Sequence, residues 1–245
     1  MSNFQGKVAI VTGAGRGIGE AVTRKLVAGG ATVLAVGPGR NEEGLAAELG
    51  EQVVPVVCDV SVEADVDNLF AICRERFGRL DLLLNNAGIS LGGRRLHETP
   101  IAEWDQVMDI NLRGAFLILR QSIALMLESG GGSIVNTASI GGVKPSLSTT
   151  PYSISKAGLI MMTRTTALEY ARDNIRVNVI CPGTIATPMI EAGGAELIAK
   201  KEAITPIGRI GTAEEVAELA CFLLSDVAPS ITGGVHTIAG GREAL

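Results

Sequence analysis

The chain has 245 residues, of which 31 are glycine, and its formal net charge is −5. Two histidines, and four cysteines without a C-x-x-C pair, argue against a metal site, so no metal is expected. The acidic balance argues against a nucleic-acid partner, and no apolar run is long enough to span a membrane. The glycine share of about 13%, against a usual roughly 7%, indicates tight turns or close backbone approaches to a ligand.

The composition predicts a soluble, cytoplasmic protein. The first seven residues contain no apolar signal-peptide region, and most cysteines lie in apolar segments, which is typical of buried free thiols in a reducing compartment. At this length a single domain over residues 1–245 is expected.

Short β-branched segments alternate with helix-length segments along the chain. The strand-like segments are 8–11, 32–36, 53–57, 80–84, 132–136, 176–180 and 235–238. The helical segments are 18–28, 41–49, 62–77, 103–128, 152–172 and 213–225. Most strand-like segments are continuous apolar runs, as in parallel strands covered on both faces. The pattern predicts an α/β fold, namely a doubly wound, Rossmann-type parallel sheet of seven strands with helices on both faces.

One segment interrupts this alternation. Residues 183–211, which follow Pro182, carry Pro188, Pro206 and the Gly193-Gly194 pair around a short predicted helix, 196–202. Because ligands bind outside the carboxyl ends of parallel strands, we expect residues 184–211 to form a substrate loop. The helix that follows begins with a capping-box signature, Thr212 with Glu215 three residues later.

A glycine-rich loop, Thr12–Gly19, follows the first predicted strand and precedes a helix. Such a unit presents the amides of a helix N-terminus to a pyrophosphate, so it predicts a dinucleotide site. Its glycines at 13, 17 and 19 give the spacing G-x-x-x-G-x-G, because Ile18 occupies the third position of the G-x-G-x-x-G pattern. A purely structural tight turn is the alternative.

The end of the second predicted strand bears on the choice of dinucleotide. An acid there would bind the ribose 2′-hydroxyl of NAD. The sequence reads Val36-Gly37-Pro38-Gly39-Arg40, with no acid until Glu42. Arg16 and Arg40 are placed to hold a 2′-phosphate, although Arg40 as a solvated loop charge is equally consistent. The sequence therefore favours NADP(H), with NAD(H) as the alternative.

With so few histidines, the acid/base group must be sought elsewhere. Lys156 follows Tyr152 by four residues, which places both side chains on one face of a predicted helix, whereas Tyr170 has Asn174 at that offset. At about 4 Å and an effective dielectric constant near 20, an ammonium stabilises a phenolate by about 4 kcal/mol, or at most about three pKa units. That would bring a tyrosine towards the range useful for acid/base catalysis. An exposed helical pair is the alternative.

Other polar and glycine residues lie at predicted strand ends or in neighbouring helices, where ligands bind in this architecture. Together with the glycine loop and the tyrosine–lysine pair, they make the chain resemble the short-chain dehydrogenase/reductase family over essentially its whole length. The resemblance is to the single-domain branch, which includes members such as the 3-oxoacyl-ACP reductases. The additional motif residues are Asn85-Asn86-Ala87-Gly88, Asn111, Ser139 and Pro182-Gly183.

This resemblance implies an oxidoreductase that interconverts a ketone or aldehyde and an alcohol by hydride transfer to or from a nicotinamide. Tyr152 is then the general acid/base that protonates the carbonyl oxygen during reduction, and Ser139 hydrogen-bonds that oxygen. Lys156 lowers the pKa of the tyrosine and binds the nicotinamide ribose, and Asn111 holds a water of a proton relay.

The resemblance also implies further cofactor contacts, which add to the glycine loop and the two arginines. The full set is Gly13, Arg16, Gly17, Ile18, Gly19, Arg40, Asp59, Val60, Asn86, Gly88, Tyr152, Lys156, Pro182, Gly183, Ile185 and Thr187. One departure from the family lies near the C-terminus, where Ala239-Gly240-Gly241 stands in place of a frequent Asp-Gly-Gly.

Substrate and assembly are less determined. Arg94, Arg95 and Lys144 could face an anionic substrate, with solvated surface charges as the alternative. The family resemblance implies subunit contacts through helices 103–128 and 152–172, hence a homotetramer or a homodimer. Two other functions compete with the reductase: a non-catalytic NADP-binding regulator, which would be expected to lack part of the tetrad, and an extended-branch epimerase or dehydratase, which needs a larger C-terminal region.

Overall fold

The computed structural model describes residues 3–244, and within them every side chain except those of Arg40 and Met189. Its centre is a parallel sheet of seven strands in the order β3-β2-β1-β4-β5-β6-β9, which confirms the predicted fold class. The strands are β1 (Val8–Thr12), β2 (Thr32–Gly37), β3 (Val53–Val57), β4 (Leu82–Asn85), β5 (Gly132–Thr137), β6 (Ile175–Pro182) and β9 (Val235–Ile238). A separate two-stranded ribbon pairs β7 (Ile185–Ala186) with β8 (Gly211–Thr212).

Helices cover both faces of the sheet. They are α1 (Gly17–Ala28), α2 (Arg40–Leu49), α3 (Glu63–Phe77), α4 (Ile101–Met108), α5 (Ala115–Ser129), α6 (Thr150–Tyr170), α7 (Pro188–Glu191), α8 (Gly194–Ala203) and α9 (Ala213–Leu224). Thr212 and Glu215 form the predicted capping box at the start of α9, with main-chain to side-chain distances of 3.2 and 2.9 Å.

Alternate residues of the central strands enter two different cores. In β1, Val8 and Ile10 pack in the core with α3 and α5, whereas Ala9 and Val11 pack in the core with α1 and α9. Successive side chains of a strand point to opposite faces, so a strand buried on both faces must be apolar throughout. This is the physical reason for the continuous apolar runs in the sequence.

The order of the strands reverses beside β1, because β2 continues the sheet on one side and β4 on the other. A crevice opens at such a switch point, outside the carboxyl ends of the strands. The glycine loop follows β1, and Asn86 follows β4, so both lie at this crevice. The main chain of Asn86 and Ala87 donates to the Thr12 hydroxyl at 2.8 and 2.9 Å, which ties the two strand ends together.

Two predicted elements differ in detail from the structure. The segment predicted as one helix, 103–128, is α4 and α5 joined by a π-helical stretch, Asp109–Gly114. The combined segment Ile101–Ser129 is long and apolar enough to cross a membrane, but more than half of its most apolar window is buried inside the protein, as in a core helix. The segment predicted as an irregular loop with one helix, 184–211, holds α7 and α8 and is flanked by the ribbon strands β7 and β8.

Candidate active site

A cavity of about 690 Å³ lies along the carboxyl ends of the strands. This volume is within the usual range for a small-molecule or cofactor site. The cavity brings together most of the residues that the sequence assigned to catalysis and cofactor binding. Those that line it are Gly13, Arg16, Gly17, Ile18, Asp59, Val60, Asn86, Gly88, Ser139, Tyr152, Lys156, Pro182, Gly183, Ile185 and Thr187.

Three assigned residues stand apart. Gly19 does not line the cavity; a Cβ atom there would lie 2.0 Å from the carbonyl oxygen of Gly13, so this glycine lets α1 pack against the loop. Asn111 is fully buried behind the cavity wall. The side chain of Arg40 lies outside the described part of the structure, and its predicted phosphate contact stays a prediction.

The glycine loop adopts a backbone that side chains rarely allow. Gly13 and Gly17 have φ values of +65° and +56°. The side-chain amide of Asn86 donates to the Thr12 carbonyl at 3.1 Å and holds the loop against the end of β4. α1 begins at Gly17 directly beside the cavity, so its N-terminal amides and its helix dipole favour an anion there, as a pyrophosphate requires.

Glu42 occupies the place at the end of β2 where the sequence indicated no acid. Its side chain is 4% exposed and lines the cavity. One carboxylate oxygen accepts from the Gly15 amide at 3.1 Å and the other from the Gly39 amide at 3.3 Å. A Cβ atom on Gly37 would lie 1.9 Å from this carboxylate. The Glu42 carboxylate therefore occupies space that a side chain at position 37 would take.

The premise that no acid lies at the end of the second strand is therefore wrong. Glu42 belongs to the first turn of α2, and the chain from Gly37 to Gly39 turns back so that this helix carries the carboxylate to the strand end. Gly39 has a φ of +146°, which only glycine adopts readily. The signal in the sequence was the Gly-Pro-Gly turn followed three residues later by an acid.

Ser139, Tyr152 and Lys156 meet at the centre of the cavity. Ser139 lies two residues after β5, directly before the 3₁₀ turn at 140–142. Its Oγ accepts a hydrogen bond from the Gly141 amide at 3.0 Å. A Cβ atom on Gly141 would lie 3.5 Å from the Ser139 Oγ and 3.7 Å from Cε1 of Tyr152, so the two side chains border the same space. Burial raises the pKa of Tyr152 above its usual value, and hydrogen bonding by Ser139 opposes that rise in pKa.

Lys156 is 3% exposed and lies on α6 one turn after the tyrosine. Its Nζ donates to the Thr137 carbonyl at 2.8 Å and lies 5.8 Å from the centroid of the Tyr152 ring. Burial lowers the pKa of Lys156 to about 8. The lowering of the tyrosine pKa by this ammonium stays a prediction.

Asn111 is held at the back of the site by the π-helical stretch. Its Oδ1 accepts from the Ile89 amide at 2.8 Å, and its Nδ2 donates to the Ile89 carbonyl at 2.8 Å and to the Ser155 Oγ at 3.2 Å. A Cβ atom on Gly88 would lie 3.2 Å from the Asn111 Oδ1 and 3.3 Å from the Lys156 Nζ, so Asn111 lies beside the lysine. Single π-helical turns are frequent at functional sites.

Three cations besides Arg16 and Lys156 line the cavity. Lys144, Lys201 and Arg242 line it, whereas Arg94 and Arg95 do not. Arg94 pairs with Glu103 on the outer surface instead. Of these three cations, the sequence predicted only Lys144. Lys201 and Arg242 reach the cavity through the folding of the segment after β6 and of the C-terminus, which the sequence does not reveal.

Comparison with known proteins agrees with this geometry. A sequence profile described as enoyl-(acyl carrier protein) reductase matches residues 13–243. The levodione reductase of Leifsonia aquatica is 38% identical over 99% of this chain and 96% of its own length. The chain belongs to the short-chain dehydrogenase/reductase family.

Two further members of this family extend the comparison. The cis-4-hydroxycyclohexanecarboxylate dehydrogenase of Sinomonas cyclohexanicum is 38% identical over 99% of this chain and 98% of its own length. The crystal structure of a 3-ketoacyl-(acyl-carrier-protein) reductase from Brucella melitensis complexed with NADH has a TM-score of 0.94 at 33% identity, and covers 98% of this chain and all 100% of that one. The crystal structure of levodione reductase has a TM-score of 0.96 at 37% identity over 99% of this chain and 100% of its own.

Proposed function

We propose that this short-chain dehydrogenase/reductase interconverts a ketone or aldehyde and a secondary or primary alcohol with a nicotinamide dinucleotide. The observation that supports it best is the convergence of Ser139, Tyr152 and Lys156 on the same cavity that the glycine loop lines. The reductases and dehydrogenases to which the chain is similar support the same reaction class.

The cavity fits a dinucleotide. The backbone of Gly13 and Gly17 and the start of α1 would hold the pyrophosphate, and Lys156 would bind the nicotinamide ribose. Ile185 and Thr187, which border the same cavity next to Gly17, would hold the nicotinamide end. A bound nicotinamide supplies or takes up the hydride.

The residues of the chain carry the proton chemistry. During reduction Tyr152 donates its hydroxyl proton to the carbonyl oxygen, and Ser139 donates a hydrogen bond that orients this oxygen. During oxidation the tyrosinate takes up the alcohol proton. Lys156 and Asn111 lie behind the tyrosine and would return a proton to it through a relay that includes a water, as the family resemblance implies.

The favoured cofactor changes with the position of Glu42. The sequence favoured NADP(H), with Arg16 and Arg40 as phosphate ligands. A buried carboxylate at the end of β2 instead favours NAD(H), because it accepts a hydrogen bond from the ribose 2′-hydroxyl and repels a 2′-phosphate. NAD(H) is therefore the cofactor that we propose.

Assembly as a homotetramer, or else a homodimer, is part of the proposal. Several large apolar side chains on the helices expected at subunit contacts are exposed to solvent. They include Phe116 and Leu127 on α5 and Ile154, Met161 and Leu168 on α6. Monomers rarely expose such groups together, so burial between subunits accounts for them. A cytoplasmic location, from the sequence, is proposed as well.

The test of the proposed reaction uses a panel of alcohols and ketones, read by nicotinamide absorbance with both cofactors. The panel includes cyclohexanols, since one relative is named for a hydroxycyclohexane substrate. In Tyr152→Phe we expect turnover to fall by about 10²- to 10⁴-fold, because the acid/base group is lost, while NADH binding persists.

The matched control is Tyr170→Phe, which removes the hydroxyl of the other tyrosine and should leave turnover unchanged. Near-normal turnover in Tyr152→Phe would contradict the mechanism. Cofactor binding without turnover of any panel compound would instead favour the non-catalytic regulator that the sequence left as the alternative.

A further inference from the structure

We propose that the substrate carries a carboxylate, which Lys144, Lys201 and Arg242 bind within the cavity. This inference rests on the proposed function and adds a class of substrate to it. Three different parts of the chain supply these cations: the segment after β5, the last turns of α8, and the C-terminus. All three are partly buried along the cavity wall.

Lys144 joins the catalytic segment to the C-terminus. It follows Ser139 by five residues, and the 3₁₀ turn at 140–142 lies between them. Its Nζ donates to the main-chain carbonyl of Arg242 at 3.1 Å. This contact uses one of three ammonium protons and fixes the charge next to the arginine, so donors are left for a ligand.

Arg242 reaches the cavity through the Gly240-Gly241 turn. The two glycines have φ values of +62° and +89°, and a Cβ atom on Gly240 would lie 2.8 Å from Ile207 Cγ1. The arginine then donates from Nη1 to the Thr184 Oγ1 at 3.1 Å, beside the segment proposed to hold the nicotinamide. The remaining N–H groups of a guanidinium suit bidentate binding of a carboxylate.

Lys201 lies near the end of α8, close to the same turn. Its carbonyl accepts from the Thr205 Oγ1 at 2.7 Å, and the Ile207 amide donates to the Gly240 carbonyl at 3.2 Å. These contacts dock the end of α8 against the C-terminal segment that carries Arg242. The preceding lysine, Lys200, points away and pairs with Glu196 at 2.7 Å on the outer surface.

No acid balances these charges within the described cavity. Its lining acids are Glu42, which lies in the first turn of α2 and contacts Gly15 of the glycine loop, and Asp59, which follows β3 by two residues. None of the ion pairs between described residues includes Lys144, Lys201 or Arg242. Unpaired cations in a cleft attract an anion and orient it, and the pyrophosphate would be held by the amides of the glycine loop and of α1.

The test compares cis-4-hydroxycyclohexanecarboxylate with its methyl ester and with 4-methylcyclohexanol, using NAD in the assembled enzyme. We expect the carboxylate to have the highest kcat/KM. Lys201→Gln and Arg242→Gln should each lower the ratio of kcat/KM for the carboxylate to kcat/KM for the ester about tenfold, mainly through the KM of the carboxylate. Arg242→Lys should recover part of the loss. The control, Lys200→Gln, lies on the same helix outside the cavity and should behave like the wild type.

Equal kcat/KM for acid and ester would overturn the proposal, even though their turnover would uphold the proposed reaction. The proposal would also be overturned if Lys201→Gln and Arg242→Gln raised the KM for NAD without changing the preference for the acid over the ester. That result would assign the cations to the pyrophosphate. If no compound is turned over, calorimetry of the enzyme saturated with NADH decides. Tighter binding of cyclohexanecarboxylate than of cyclohexanecarboxamide, lost in Arg242→Gln, supports the inference, and equal binding overturns it.

Discussion

At the scale of single residues, burial has a larger effect on the pKa values of the site than the sequence indicated. The i, i+4 spacing identified Tyr152 and Lys156 as partners, but not the pKa of either group. Both pKa values move mainly because the side chains leave water: that of Tyr152 is raised and that of Lys156 is lowered to about 8. The lysine therefore binds a proton less firmly than a surface lysine does, as would suit the proton relay that we propose.

Burial also shifts the pKa values of the four cysteines, for which we propose no catalytic role. All are free and buried, as the composition predicted, and burial raises the pKa of their thiols to about 11 or 12. Thiolates are the reactive form, so these side chains are inert packing groups.

Glu42 provides a prediction about cofactor choice. We expect the wild type to use NADH in preference to NADPH, and Glu42→Gln to lower the ratio of their kcat/KM values at least tenfold. The physical reason is the loss of a buried negative charge next to the cofactor ribose, while the side chain keeps its shape. The measurement is the steady-state rate with each cofactor.

The neighbouring acid supplies the control. Glu43 is exposed and does not line the cavity, so Glu43→Gln should leave the ratio unchanged. A wild type that prefers NADPH, and loses this preference in Arg16→Ala, would return the assignment to the sequence-based prediction.

At the scale of elements, glycines in similar helices have opposite effects. Gly19 lies in the first turn of α1, and a Cβ atom there would meet the Gly13 carbonyl at 2.0 Å. Gly44 lies inside α2, exposed, with nothing within 4 Å of such an atom. We expect Gly44→Ala to stabilise the protein by about 0.5–1 kcal/mol through helix propensity. Gly19→Ala should destabilise it and weaken NADH binding, since the loop must move.

Urea unfolding of both variants measures the two effects, and fluorescence titration with NADH measures the second. A neutral Gly19→Ala would show that the packing of α1 on the loop tolerates a shift of the main chain. In that case the close approach of α1 to the loop would not require a glycine at position 19.

The π-helical stretch is an element that the sequence did not predict. Its local composition continues the helical pattern of the segment, so the prediction of one helix over 103–128 followed from periodicity. The change in main-chain hydrogen bonding at 109–114 coincides with the contacts of Asn111 to Ile89 and Ser155, which come from other parts of the chain. Long-range contacts of this kind leave no periodic signal.

At the scale of the whole molecule, assembly can be tested on the exposed helix residues. Leu168 on α6 is 84% exposed. We expect Leu168→Glu to reduce the oligomer to smaller species, because a subunit interface buries apolar groups and excludes an unpaired charge. Light scattering coupled to size-exclusion chromatography measures the mass of each variant.

Leu147 serves as the control, because it is 94% exposed but lies in the segment before α6 rather than on the helices expected at subunit contacts. Leu147→Glu should keep the mass of the wild type. A wild type that elutes as a monomer would refute the expected assembly.

The sequence by itself determined the architecture and selected the tyrosine that we propose as the catalytic group. Apolar runs of strand length indicate parallel strands, because a strand buried on both faces must be apolar at successive positions. Glycine loops indicate strand–helix turns, because few other residues adopt a positive φ. The scarcity of aromatic residues and histidines left one tyrosine with a lysine at helical spacing. These signals are local, so a single sequence carries them.

The tertiary structure decided the charges around the cavity. Glu42 reaches the end of β2 from the following helix, and Lys201 and Arg242 line the same cavity as Lys144 although they are far from it in sequence. Packing of distant segments brings these groups together, and electrostatic recognition depends on distance and burial rather than on order along the chain. Abundant glycine indicated where the backbone would approach the proposed ligand, and the fold determined which charges that ligand would meet.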